Sequence, residues 1–116
     1  MEDSILKDIK HRVGPSAEFE YFDVDIIDAI NAAFSILTQI GAGPTNGFQI
    51  TDDTAKWSDF IDDITVINLV KKYIYNKVLL TFDFPNNSSR ASALVEQNAE
   101  LESRISLWVD DQSGAI

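Results

Sequence analysis

The sequence predicts a mainly α-helical domain: a compact bundle of about four helices, with a short β-strand or hairpin in the loop between the second and third. Three observations predict it. Apolar residues recur at three- and four-residue steps along four segments, the mark of helices with one buried face. Every Gly and Pro falls outside those segments, where it ends or links them. Between the second and third of them, Gly47 to Thr51 alternates apolar and polar side chains, the period of a strand. At 116 residues, 45% of them hydrophobic and 10% aromatic, the chain is expected to fold as one domain over 1–116 with its own core.

The first helix is expected from Ile5, Ile9 and Val13, four apart, with Ser4 or Asp3 as its cap and Gly14-Pro15 as its stop. The second begins near Asp23 or Asp25. It carries Ile26, Ile27, Ile30, Ala33, Phe34, Leu37 and Ile40 on one stripe and closes at Gly41, where a left-handed residue is favoured. Between these two, Phe19, Tyr21 and Phe22 alternate with acids, which reads as a short extended piece plugging the core. The third helix, about Ile64 to Phe82, is apolar around most of its circumference and is therefore the central core helix. Pro85 with Asn86-Asn87 ends it. The fourth starts from Ser88 or Ser89. Its seam of Ala91, Leu94, Asn98, Leu101, Ile105 and Trp108 fits packing within the monomer or against a neighbour, and Asn98 points to a register-setting contact. Residues 109–116 have turn residues and no helical pattern, so a frayed tail is expected there, or one that orders against a partner.

The loop at 41–63 is the most distinctive segment. It holds three of the five Gly and one of the two Trp, and a long insertion between helices commonly binds something. A single strand at Gly47 to Thr51 needs a partner, either Phe19 to Phe22 or the edge of another subunit. Trp57 and Phe60 are expected on one face of a helical turn. Two readings compete for them: plain core cover below the loop, or a surface for assembly. On the second reading Phe48, Ile50 and Trp57 serve assembly more than folding, and Phe48, Gln49, Ile50, Trp57, Trp108 and Val109 form the candidate oligomer or partner interface.

Charge and composition exclude several functions. Nine Lys and Arg against nineteen Asp and Glu, a net charge of -10, argue against direct nucleic-acid binding, which gains affinity by releasing counterions to clustered bases. The absence of Cys removes disulfides and thiolate metal sites. The N-terminus carries acids where a signal peptide would carry bases, and no run is long and apolar enough to span a bilayer, so a soluble, untargeted chain is expected. No catalytic triad can be assembled: the sole His, His11, lies among Lys10 and Arg12 on a polar face and reads as solvated. Gly41-Ala42-Gly43 precedes Pro44 and a strand, not the helix N-terminus that a phosphate loop needs. Asp52, Asp53, Asp59, Asp62 and Asp63 lack calcium-loop spacing and read as helix caps in a solvated loop. No enzyme activity, metal or cofactor is expected. A metal-dependent nuclease on these acids would lack the bases to hold its substrate.

Across residues 4 to 111, a series of short motifs carries a resemblance. Gln39-Ile40-Gly41-Ala42-Gly43-Pro44 is followed by Gly47-Phe48-Gln49-Ile50 and Trp57-Ser58-Asp59-Phe60. Val70-Lys71-Lys72-Tyr73-Ile74-Tyr75-Asn76-Lys77-Val78 comes next, and Glu102-Ser103-Arg104-Ile105 precedes Val109-Asp110. The succession resembles the small head-tail connector proteins of long-tailed bacteriophages, the adaptor or head-completion proteins. The resemblance implies a helical adaptor, assembled in the host cytoplasm, that forms a ring in the virion, typically dodecameric. The ring would sit below the portal protein and offer its far side to a downstream neck or tail-completion protein. DNA would then pass nearby without specific binding, and Asp59, Asp62 and Asp63 are candidate channel-lining acids, because fixed negative charge repels phosphate. A small acidic helical regulator that sequesters another protein is the alternative.

Overall fold

The computed structural model describes residues 4–13, 23–82 and 88–112, arranged as five helices: α1 (Ile5–Val13), α2 (Asp23–Ile40), α3 (Trp57–Phe60), α4 (Ile64–Phe82) and α5 (Ser88–Gln112). The four long helices are those the apolar periodicity predicts, and α3 is the expected turn at Trp57 and Phe60. The extended piece at Phe19 to Phe22, the stops at Gly14-Pro15 and Pro85 to Asn87, and residues 113–116 lie outside the described residues.

Helix α4 is the centre of the bundle. It packs against α1, α2 and α5, and Val66, Val70, Tyr73, Ile74 and Val78 are fully buried along its inner side. α2 gives Ile26, Ile30, Ala33, Phe34 and Leu37 to the same core, α1 gives Ile5 and Ile9, and α5 gives Leu101 and Ile105. Three neighbours cover α4, while Asn68 and Lys72 leave one side exposed, so the segment is less completely enclosed than its apolarity predicts.

The helix ends follow local chemistry. Ser4 caps α1, its Oγ accepting the Lys7 N–H at 3.2 Å. α2 closes on Gly41 at φ +106°, with the Gly41 N–H donating to Thr38 O at 2.9 Å and the Ala42 N–H to Leu37 O at 2.9 Å. That pair of bonds is the Schellman arrangement, which places its first residue beyond the helix in the left-handed region. Gly43 is required for a different reason: a Cβ there would lie 2.3 Å from the Phe60 ring.

Two sequence expectations need correction. Among the described residues there is no strand or hairpin; Gly47 to Ile50 has no regular structure, with Gly47 at φ +94°, and the one β-bridge joins Ser4 to Lys56. Residues 109–112 also belong to α5, which runs on to Gln112, where a tail from 109 was expected. Trp108 and Val109 pack against the core, and this contact holds the last turns in the helix.

The register between α4 and α5 is set by a polar network buried in the monomer. Asn98 Nδ2 donates to the Tyr73 carbonyl at 3.3 Å, Asn76 Nδ2 donates to Asn98 Oδ1 at 2.9 Å and to Gln97 Oε1 at 2.7 Å, and the Tyr73 hydroxyl donates to Glu102 Oε2 at 2.7 Å. Sliding α5 by one turn would break all of these together and strand buried amides. Asn98 therefore does what its place in the seam suggests, within one chain.

Candidate functional site

The loop from Gly41 to Asp63 is folded down on α2 and α4 by side chains. In place of a partner strand, one residue satisfies its segment at Ile50: Asn31 Oδ1 accepts the Ile50 N–H at 2.8 Å and Asn31 Nδ2 donates to the Ile50 carbonyl at 3.0 Å. An amide side chain carries the same donor and acceptor as a backbone neighbour, so it replaces one rung of a ladder. Ile50 is 2% exposed as a result.

Around that anchor the aromatic residues form one cluster. Phe34 of α2 meets Phe48 edge-on at 4.9 Å, Phe60 at 4.6 Å and Trp57 at 6.5 Å between ring centroids. Trp57, 4% exposed, donates its indole N–H to Asp8 Oδ2 at 2.9 Å, while Asp8 Oδ1 accepts from Arg12 Nε at 3.0 Å. The Lys71 ammonium lies 5.6 Å from the Trp57 ring centroid. The loop also holds α1 in place, since the Ile5 N–H donates to Ala55 O at 3.0 Å.

The acids of the loop are mostly occupied by turns and caps. Asp52 Oδ1 accepts from the Thr54 hydroxyl at 2.6 Å and the Thr54 N–H at 2.9 Å. Asp63 Oδ1 does the same with Thr65, at 2.6 and 2.8 Å, and opens α4. Asp59 Oδ2 accepts the Lys56 N–H at 2.9 Å and opens α3. The threonine hydroxyls, then the threonine N–H groups, hold Asp52 and Asp63 below the usual carboxylate range. For Asp63 the Trp108 indole adds the smallest pull, without completing a hydrogen bond of ordinary geometry. Asp62 is exposed. Among the described residues no three of His, Cys, Asp and Glu converge to hold a metal ion, and no helix is long and apolar enough to cross a membrane.

The structure divides the sequence-predicted residues into three groups. Trp108 and Val109 meet Asp62 and Asp63 across a cleft of about 510 Å³ that Gly41, Phe60 and Gln112 also line. Both are half-buried, and the Trp108 Nε1 hydrogen-bond donor is buried without a partner. Gln49 is exposed and lines a separate depression with the half-buried Phe48, Ser35 and Thr38. Ile50 and Trp57 lie beneath, in the core. Sequence reasoning missed Asn31 and Asp8, the two residues that fasten the loop. Their only signal is position: a polar side chain beside an apolar helical stripe.

The arrangement leaves two open surfaces, at the end of α5 and at the loop tip, on a loop fastened by side chains. Comparison with curated proteins and with solved structures gives no match. A family model described as phage connector protein matches residues 5–112, from the first turn of α1 to the last residue of α5. The family is one of structural components of the phage particle, and this helical chain belongs to the phage connector protein family.

Proposed function

We propose that the chain is a ring-forming adaptor, a dodecamer in the virion, which binds under the portal protein and links the DNA-filled head to the neck or tail. The observation that carries this reading is the family match over the whole described domain. A ring subunit needs two different complementary faces, because the contact between neighbours is head-to-tail. Beyond those faces, the cleft at Trp108 and Val109 and the loop tip at Phe48 and Gln49 are two distinct open surfaces that suit the portal and the neck component. The net charge of -10 suits a wall past which DNA moves, since it repels phosphate.

The test has two parts. Sedimentation of the purified chain, alone and with portal-bearing particles, is expected to show a closed ring or a portal-dependent one. A chain that stays monomeric in both and instead pairs with an unrelated protein is the acidic regulator, and the adaptor reading fails. The triple variant Asp59→Asn, Asp62→Asn, Asp63→Asn keeps the cap hydrogen bonds, because Asn is as good a cap. It should assemble normally and alter DNA retention or release, with the effect shrinking as salt screens the wall. Unchanged release at low and high ionic strength would take these acids out of the channel.

A further inference from the structure

The outer side of α4 carries charge that the described chain does not neutralise. α4 has lysines and no acid. Ile64, Asn68, Lys71, Lys72 and Tyr75 recur at helical spacing and share one side of it. Ile64 is 82% exposed, and Asn68 and Lys72 are exposed. Lys71 and Lys72 lie over the rings of Trp57 and Tyr75, at 5.6 and 5.3 Å, with no carboxylate in ion-pair range among the described residues. The outer side of α2 is the opposite. Asp25 and Asp28 are exposed there with no base on the helix, beside Val24, which is 71% exposed.

We infer that the outer side of α4 docks on the outer side of α2 in a neighbouring copy, the two helices running antiparallel. This rests on the ring reading above. Antiparallel helices advance by the same rise per residue, so one pairing fixes the rest. With Lys72 against the partner's Asp28, the Tyr75 hydroxyl reaches the partner's Asp25, Asn68 faces the partner's Ala32, and Ile64 lies on the partner's half-buried Ile36. Opposite charges, a small residue under a medium one, and an exposed isoleucine on an apolar one all coincide in that register. Because each copy gives α4 to one neighbour and α2 to the other, the contact is head-to-tail, the kind that closes into a ring when its rotation allows. The exposed Val95 and Leu107 of α5 make a weaker candidate. They point about 120° apart, and the Arg104 between them is held by Glu100 at 2.7 Å. A nucleic-acid partner needs more than two lysines on a chain of net charge -10.

The chain has no cysteine, so engineered thiols report without background. Single variants Asn68→Cys and Ala32→Cys, mixed in the full-length chain under assembly conditions and oxidised, are expected to give a disulfide-linked dimer that neither variant gives alone. Lys72→Glu and Asp28→Lys should each weaken association on the order of tenfold, with unchanged helicity, and the two swaps in one chain should restore it. Assembly that persists with no 32–68 cross-link overturns this interface and leaves the ring standing. A wild-type chain that never assembles, alone or on portal-bearing particles, overturns both. If Lys72→Glu assembles normally but loses retention of duplex DNA, this side of α4 meets nucleic acid and the interface is wrong.

Discussion

The Asn31 side chain holds both backbone polar groups of Ile50, donating to its carbonyl at 3.0 Å and accepting its N–H at 2.8 Å. A segment with the alternation of a strand is thereby buried without a sheet. Two hydrogen bonds from one helix side chain take the place of the partner strand that the pattern calls for.

Asn31→Ala removes both bonds and leaves a buried N–H and carbonyl unpaired, at a cost of about 1–3 kcal/mol. Urea unfolding should show that loss, and amide exchange at Ile50 should quicken far more than in α4. Exchange that stays as slow as in α4 would mean the loop is held by its aromatic residues alone.

The contact between Trp57 and Asp8 fastens α1 to the loop through a buried carboxylate. Trp57→Phe keeps most of the ring volume and deletes the indole donor, so it isolates the hydrogen bond; a loss of about 1.5–3 kcal/mol is expected for a bond to a charged acceptor. Arg12→Gln, which removes the second partner at the more exposed edge of Asp8, should cost less. Thermal unfolding of the two variants side by side checks the order.

Phe48 and Ile50 belong to the same patch of sequence but not to the same surface. Ile50→Ser puts a hydroxyl where an isoleucine is 2% exposed, and a loss of about 2–5 kcal/mol is expected, a large part of a small domain's stability. Adding Phe48→Ser should bring the chain close to unfolding. Gln49→Glu, on an exposed side chain, should leave stability within about 0.5 kcal/mol and is the cleaner probe of assembly. Wild-type stability in the Phe48→Ser, Ile50→Ser variant would detach the loop from the core.

Tyr73 is expected to resist ionisation. Burial, then its hydrogen bond to Glu102 and the negative charge of that residue, push its phenol well above the ordinary value near 10. Since the folded value is raised, the stabilisation is complete below the unfolded value and is lost as pH climbs past it. In an ultraviolet titration of the folded chain, one of the three tyrosines should stay protonated at about pH 11 and ionise only with unfolding. In Glu102→Gln the shift should shrink but persist, because burial is its larger cause.

The four long helices were legible in the sequence because each buries one stripe of its own residues, and a stripe is a local property of period 3.6. The central place of α4 was legible from its many apolar residues, although Asn68 and Lys72 leave one side of it exposed. So was the phage connector resemblance, carried by short motifs along the chain and matched by the family over 5–112. Tertiary structure decided everything that depends on distant groups meeting. Gly47 to Thr51 has the pattern of a strand, but whether it ladders depends on which acceptor comes within 3 Å, and that acceptor is a side chain nineteen residues away. Trp57 is buried within the chain through a bond to Asp8, forty-nine residues distant, which no local pattern records. The last turns of α5 lack a helical pattern of their own and are helical because Trp108 and Val109 pack on the core, a contact no local period records.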